Sequence, residues 1–211
     1  MTQRSFQLPQ SPLVWVFAGD SITQGVLHTY GARCWVEHLH ERLRWQLDRF
    51  LDTIINSGMS GWSAPEVLEK FDHLIGRYSP QVVSLSLGTN DCLQGDAGLP
   101  EFKSAMLALV EKSQQLGATV ILQTPALVTS SAPPTRRQFL PIYANAVREL
   151  AARQGCPLVD HEAHWKVKFG AQDPIAWMDD HTHPNAVGHA NMAQLILETL
   201  GIGRLSDIHV Q

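Results

Sequence analysis

Four short stretches of the chain carry residue types that could act together on a carbonyl group. In Gly19-Asp20-Ser21-Ile22-Thr23-Gln24-Gly25, a hydroxyl follows a strand-like run. A serine there lies near a helix N-terminus, where backbone N–H groups and the dipole favour a developing anion. The same residues also read as an N-cap serine between turn glycines. In Asn56-Ser57-Gly58-Met59-Ser60-Gly61, glycine permits close backbone approach to a ligand, or simply a turn. Gly88-Thr89-Asn90-Asp91 offers a neutral amide donor suited to an oxyanion, or an Asx turn. Asp179-Asp180-His181-Thr182-His183-Pro184-Asn185 sets Asp180 three residues before His183. A base and its orienting carboxylate must share a hydrogen bond, which a tight turn at this spacing allows. A polar helix-entry loop with a capping aspartate is the alternative. His181 and His189 read as structural or exposed histidines.

The elements that must position these stretches alternate in type. Short apolar runs rich in β-branched residues, at 13–18, 53–55, 81–87, 119–124 and 157–159, are each followed by a longer stretch. That alternation signals βαβ units, hence an α/β fold with a parallel sheet. Trp35, Leu39, Leu43 and Leu47 make one apolar stripe and predict a helix over about 33–50. Ser63-Ala64-Pro65-Glu66 has capping-box spacing and predicts a helix running to about Arg77. Further helices are expected over 102–116, 139–154 and from about Pro184 to Leu200. Pro125 to Arg137, with three prolines, reads as an irregular surface loop. In open parallel sheets ligands bind beyond the carboxyl ends of the strands, which is where the first three polar stretches fall.

Composition narrows the class further. With 211 residues, 44% of them hydrophobic and 17% charged, the chain is long enough for a sizeable core, and a single domain over 1–211 is the economical reading. Sixteen Lys and Arg against twenty Asp and Glu give a net charge of −4, which argues against nucleic acid or an anionic membrane as partner. Cys34, Cys92 and Cys156 are too few and too widely spaced for a disulfide framework or a metal knuckle, and read as buried thiols. Met1 to Pro12 lacks the apolar run of a signal peptide, and no run is long enough to span a bilayer, so a cytoplasmic protein without integral membrane association is expected. Oligomeric state has no signature in the sequence.

Taken together, the four stretches resemble the blocks of the SGNH, or GDSL, serine hydrolases, which centre on a Ser, a Gly, an Asn and a His. Here these are Ser21 in Gly-Asp-Ser, Gly58 in Asn-Ser-Gly, Asn90 in Gly-Thr-Asn-Asp and His183 in Asp-x-x-His-Pro, spread over nearly the whole chain. The resemblance implies a three-layer α/β/α domain with a five-stranded parallel sheet of flavodoxin-like order, and hydrolysis of carboxylic esters or thioesters. It implies Ser21 as nucleophile, His183 as base and Asp180 as the carboxylate that orients it. An oxyanion hole would be formed by the N–H groups of Ser21 and Gly58 and the Asn90 side chain. No metal or organic cofactor is required.

Substrate signals are thinner. His28, Tyr30, Trp62 and Trp177 fall in loops near the expected site and could contact substrate, although each tryptophan also suits a core. Arg136 and Arg137 could attract an anion from the proline-rich loop, or lie solvated on it. A small soluble ester is expected, an acetylated carbohydrate first, then an acyl thioester or lysolipid. Two other classes compete. Asp160, His161, Glu162, His164, Asp179, Asp180, His181 and His183 could suggest a metal hydrolase, but their spacing lacks the pattern of a strong metal motif. A carbohydrate-binding module without turnover could keep the same fold.

Overall fold

The computed structural model describes residues 6–205. The first five residues of the stretch read for a signal peptide lie outside the described residues. Five strands, β1 (Val14–Gly19), β2 (Thr53–Asn56), β3 (Val82–Ser86), β4 (Thr119–Gln123) and β5 (Leu158–Val159), form one parallel sheet in the order β2-β1-β3-β4-β5. This is the flavodoxin-like order.

Strand periodicity explains the layering. Side chains alternate between the faces of a strand, so Val16 and Ala18 face one side while Trp15 and Phe17 face the other. The first face packs under α3 (Ala64–Glu69), α4 (Phe71–Leu74), α5 (Gly95–Gln115) and α6 (Pro134–Gln154), with Val67, Phe102, Leu109 and Tyr143 in its core. The second packs under α2 (Trp35–Glu41), α7 (His161–Phe169) and α8 (Ala186–Leu200), with Trp35, Leu39, Trp165 and Ile196 in its core. Each layer covers a sheet face that would otherwise expose a continuous apolar surface. Among the described residues, no helix is long and apolar enough to cross a membrane. The three cysteines are free and buried.

Several element bounds differ from those expected. The stretch over 33–50 is helical only through α2 and a π-helical turn at Arg42–Gln46. The helix begun by the Ser63–Glu66 box forms as expected at its N-terminus but breaks into α3, α4 and a 3-10 turn at Gly76–Tyr78. α5 starts seven residues before 102 and carries Pro100 inside it. Tertiary anchoring outweighs the missing donor: the Tyr143 hydroxyl donates to the Gly95 carbonyl (2.8 Å) at the helix start. α6 starts at Pro134, so the last four residues of the expected loop are helical, because proline in the first turn loses no intrahelical bond. α7 was not expected at all. Its buried stripe is narrow, with Val167 88% exposed, so hydrophobic periodicity gave no signal.

Candidate active site

The strand order reverses between β1 and β3, which leaves a crevice beyond their carboxyl ends. Ser21 follows β1 and Asn90 follows β3, so the topology alone brings these two to one rim. β1 ends at Gly19, Asp20 adopts an extended backbone and caps α1 (Ser21–Gln24) by accepting from the Ile22 N–H (2.9 Å). Ser21 is thereby the first residue of the helical turn, and its N–H belongs to the donors that a helix start leaves unpaired.

The hydroxyl of Ser21 lies 2.9 Å from His183 Nε2, across 162 residues of sequence, and His183 Nδ1 lies 2.8 Å from Asp180 Oδ2. A carboxylate only accepts, so Nδ1 carries the hydrogen and Nε2 of the neutral ring is left to accept from Ser21. Asp180 is held in place by its second oxygen, which accepts from the N–H groups of Thr182 and His183 (2.6 Å each). Burial alone would raise the Asp180 carboxyl, but these N–H donors and the His183 ring outweigh it and hold the group down at about 2. Burial pushes the His183 imidazole below its ordinary value; Asp180 opposes this, and the neighbouring His28 and Arg136 add to it.

The loop that carries both groups is closed on itself. Met178 and Pro184 form an antiparallel bridge, and the Asp179 N–H donates to the His183 carbonyl (2.8 Å). Arg136 braces it from α6. This guanidinium is buried, donating through Nε to the Thr89 carbonyl (3.1 Å) and through Nη1 to the Thr182 hydroxyl (2.5 Å). It therefore ties the residue before Asn90 to the residue before His183, and is neither a loop residue nor a solvated one. Arg137 donates to the Ala132 carbonyl (3.0 Å) within the start of the helix. Asp91 fixes the β3 loop by accepting from the N–H groups of Ala64 (2.7 Å) and Gly88 (3.0 Å). Burial raises Asp91 to about 6, and Asp20, also buried, to about 6.

Asn90 and Gly58 differ in availability. The Asn90 amide nitrogen donates one hydrogen to the Trp62 carbonyl (3.0 Å), which orients the group and leaves its second hydrogen. Gly58 has another task than the expected one. It is buried, and its N–H donates to Asn56 Oδ1 (3.0 Å). A Cβ there would come within 2.3 Å of the Gln24 nitrogen, so glycine is required for the β2 loop to pack on the backbone of α1. Gly61 differs in every respect. It is exposed, has φ +81° in a turn closed by Trp62 N–H to the Met59 carbonyl (3.2 Å), and lines one groove with Asn90. The sequence signal was the turn itself, since a φ of this sign at the third turn position calls for glycine.

The expected substrate contacts scatter. Trp177 packs edge-on against Trp165 (5.2 Å between centroids) and Phe169 (4.8 Å), which makes it part of the α7 layer. Trp62 is half-buried against the opposite core and contributes its carbonyl to Asn90. Tyr30 is 81% exposed, and the negative charge of the Asp179 carboxylate pushes its hydroxyl pKa up. His28 reaches the centre: its ring stacks on His183. His189 is buried on α8, accepts from the Trp35 N–H (3.3 Å), and is pushed by burial down to about 4. His181 meets the Thr182 hydroxyl (2.6 Å).

The residues weighed as metal ligands do not gather as one set. Asp160 and Glu162 are both paired with Arg148, and His161 is fully buried against Gln123 (2.7 Å). His28, Asp180 and His183 do have ligand atoms within 4.8 Å of one another. The two rings are parallel, so their in-plane lone pairs run side by side instead of converging on one point.

Beyond the site itself, a family model for the GDSL-like lipase/acylhydrolases matches residues 17–190. The chain belongs to that family. As a GDSL-like acylhydrolase it is a carboxylic ester hydrolase. Among its relatives, an acetylxylan esterase of Geobacillus stearothermophilus is 23% identical over 157 residues, which is 70% of this chain and 72% of the relative. A crystal structure of a catalytic mutant of an acetylxylan esterase from the same organism matches with a TM-score of 0.79 at 23% identity, covering 90% of this chain and 95% of that one. An α/β hydrolase from the metagenome of Lake Arreo, Spain, matches with a TM-score of 0.77 at 24% identity, over 90% and 95% of the two chains. These likenesses place the GDSL-like hydrolase in the three-layer fold described above.

Proposed function

We propose that this GDSL-like hydrolase removes small acyl groups, acetyl first, from hydroxyl-rich carbohydrate alcohols through an acyl-enzyme on Ser21. The observation that carries the reading is the unbroken chain from Ser21 Oγ to His183 to Asp180 at 2.9 and 2.8 Å. His183 takes the Ser21 proton as the hydroxyl attacks the ester carbonyl, gives it to the departing alcohol, and then activates water to release the acid. Asp180 fixes the tautomer and faces the imidazolium that forms. The oxyanion is received by the Ser21 N–H and the free hydrogen of the Asn90 amide. Gly61, beside Asn90, replaces Gly58 as the third donor.

Removing one such donor costs about 10²–10³ in kcat. Asn90→Ala should therefore lower kcat by that factor with little change in KM. Equal loss in both Asn90→Ala and Asn90→Asp would agree with a lost donor; unchanged kcat would remove Asn90 from the oxyanion hole.

Support for the carbohydrate alcohol comes from the relative named an acetylxylan esterase and from the groove next to Asn90. That groove, about 390 Å³, offers Ser63 and Gln94 beside Asn90 as hydrogen-bonding groups over a floor that includes Phe102. Its ionisable lining groups are the carboxylates of Glu66, Asp91 and Glu101, which suit a neutral polyol and repel a polyanionic acyl-CoA. Initial rates on acetylated xylose and xylobiose, p-nitrophenyl esters from C2 to C8 and acetyl-CoA test this directly. The expected order is sugar acetate and C2 ester above C4, C8 and acetyl-CoA; a preference for C8 or for the thioester overturns it.

A further inference from the structure

His28 stands against the base in an arrangement that substrate contact does not explain. Its ring lies parallel to that of His183, with centroids 3.8 Å apart and planes inclined by 3°. Its Nδ1 donates to Asp179 Oδ2 (2.8 Å), just as His183 Nδ1 donates to Asp180 Oδ2 (2.8 Å). Two imidazole–carboxylate pairs therefore lie side by side, with their carboxylates on consecutive residues. The side chains of His28 and Asp179 are about one-fifth exposed (20% and 19%). The segment that presents His28 is held in an unfavourable backbone form: Leu27 has φ +86° and Tyr30 φ +50°, neither being glycine. Backbone strain of this kind persists where the surrounding structure over-determines it and clusters at functional sites.

The geometry points to His28 as a positioning residue for His183, oriented in turn by Asp179. Covering one face of the His183 ring restricts its rotation and keeps Nε2 directed at Ser21. A restraint that keeps Nε2 on the proton it takes acts on the chemical step, so it raises kcat instead of lowering KM.

This inference rests on the reading of His183 as the base, so the test separates the two. Wild type, Ser21→Ala, His28→Ala, His28→Phe and Asp179→Asn are compared for kcat and KM on p-nitrophenyl acetate, and for the rate of labelling by a fluorophosphonate. Labelling reports the nucleophilicity of Ser21 without a natural substrate. Misplacing a catalytic group costs up to about 100-fold. His28→Ala should lose about 10- to 100-fold in kcat and in labelling rate, with KM unchanged. His28→Phe, which keeps a flat ring on His183 but cannot bond Asp179, should recover most of both. Asp179→Asn should fall between them. A His28→Ala enzyme that changes only KM and labels at the wild-type rate makes His28 a substrate contact and overturns the inference, as does a His28→Phe enzyme as slow as His28→Ala when both melt like wild type. Absence of any adduct on Ser21 of the wild type strikes the base reading itself.

Discussion

Ser21→Ala should lose about 10⁶-fold in kcat on p-nitrophenyl acetate, as expected for a member of a nucleophile–base unit. The hydroxyl is the only group that the substitution removes, and its one side-chain partner among the described residues is His183 Nε2 at 2.9 Å, so the fold should be unaffected. His183→Ala should lose a similar factor, and the double variant should be no slower than either single one. Groups that act as a unit fail together: without the base the hydroxyl is a weak nucleophile, and without the hydroxyl the base has no proton to take. What remains in all three should be the rate from binding and the oxyanion donors alone. Steady-state and burst kinetics, with an intact-mass search for the acyl adduct, read these outcomes. A Ser21→Ala enzyme within tenfold of wild type would remove the acyl-enzyme route.

Asp180→Asn should lose about 10⁴-fold, less than Ser21→Ala but far more than a surface change, because an amide in that place can stabilise the wrong tautomer of His183. The pH dependence follows from the same contacts. Asp180 is held down at about 2 and stays ionised throughout the working range. Acid inactivation is thus protonation of His183, whose burial lowers it from the ordinary 6.5. Activity requires the neutral ring, so kcat/KM should be level above that value and decline only at lower pH. Removing the Asp180 charge takes away a stabiliser of the imidazolium, so the residual activity of Asp180→Asn should decline at still lower pH. A rate-against-pH series on both proteins checks the sign; a shift of the acid limb upward in the variant would contradict it.

How far the sequence could be read depends on the kind of interaction concerned. The sheet was legible because its strands are short apolar runs such as 13–18 and 81–87, each followed by a longer stretch, and the start of α3 because Ser63 and Glu66 cap each other over three residues. Both signals are local. Pro100 and Pro134 misled the placement of α5 and α6, since a proline near a helix start costs little once Tyr143 or the first turn holds the end. At the site, residue types in four blocks indicated which groups meet, but not the direction of a backbone N–H. Gly58 fits the pattern of a donor, yet its N–H is engaged by Asn56, two residues away. Trp177 has the type of a sugar contact and the surroundings of a core residue. The pairing of His28 with Asp179 spans 151 residues and is set by the strained turn at Leu27, which no local motif encodes.

The Met178–Pro184 bridge has a bearing on how the enzyme breathes. Because the proposed base and its orienting carboxylate ride on one clasped loop, thermal fluctuation displaces them as a single cassette, and the joint that opens is the one between this cassette and Ser21. Idle and competent forms of the enzyme should therefore differ in one gap alone, which makes the clasp, with Arg136 as its strut, the natural place to trade catalytic vigour against thermal endurance.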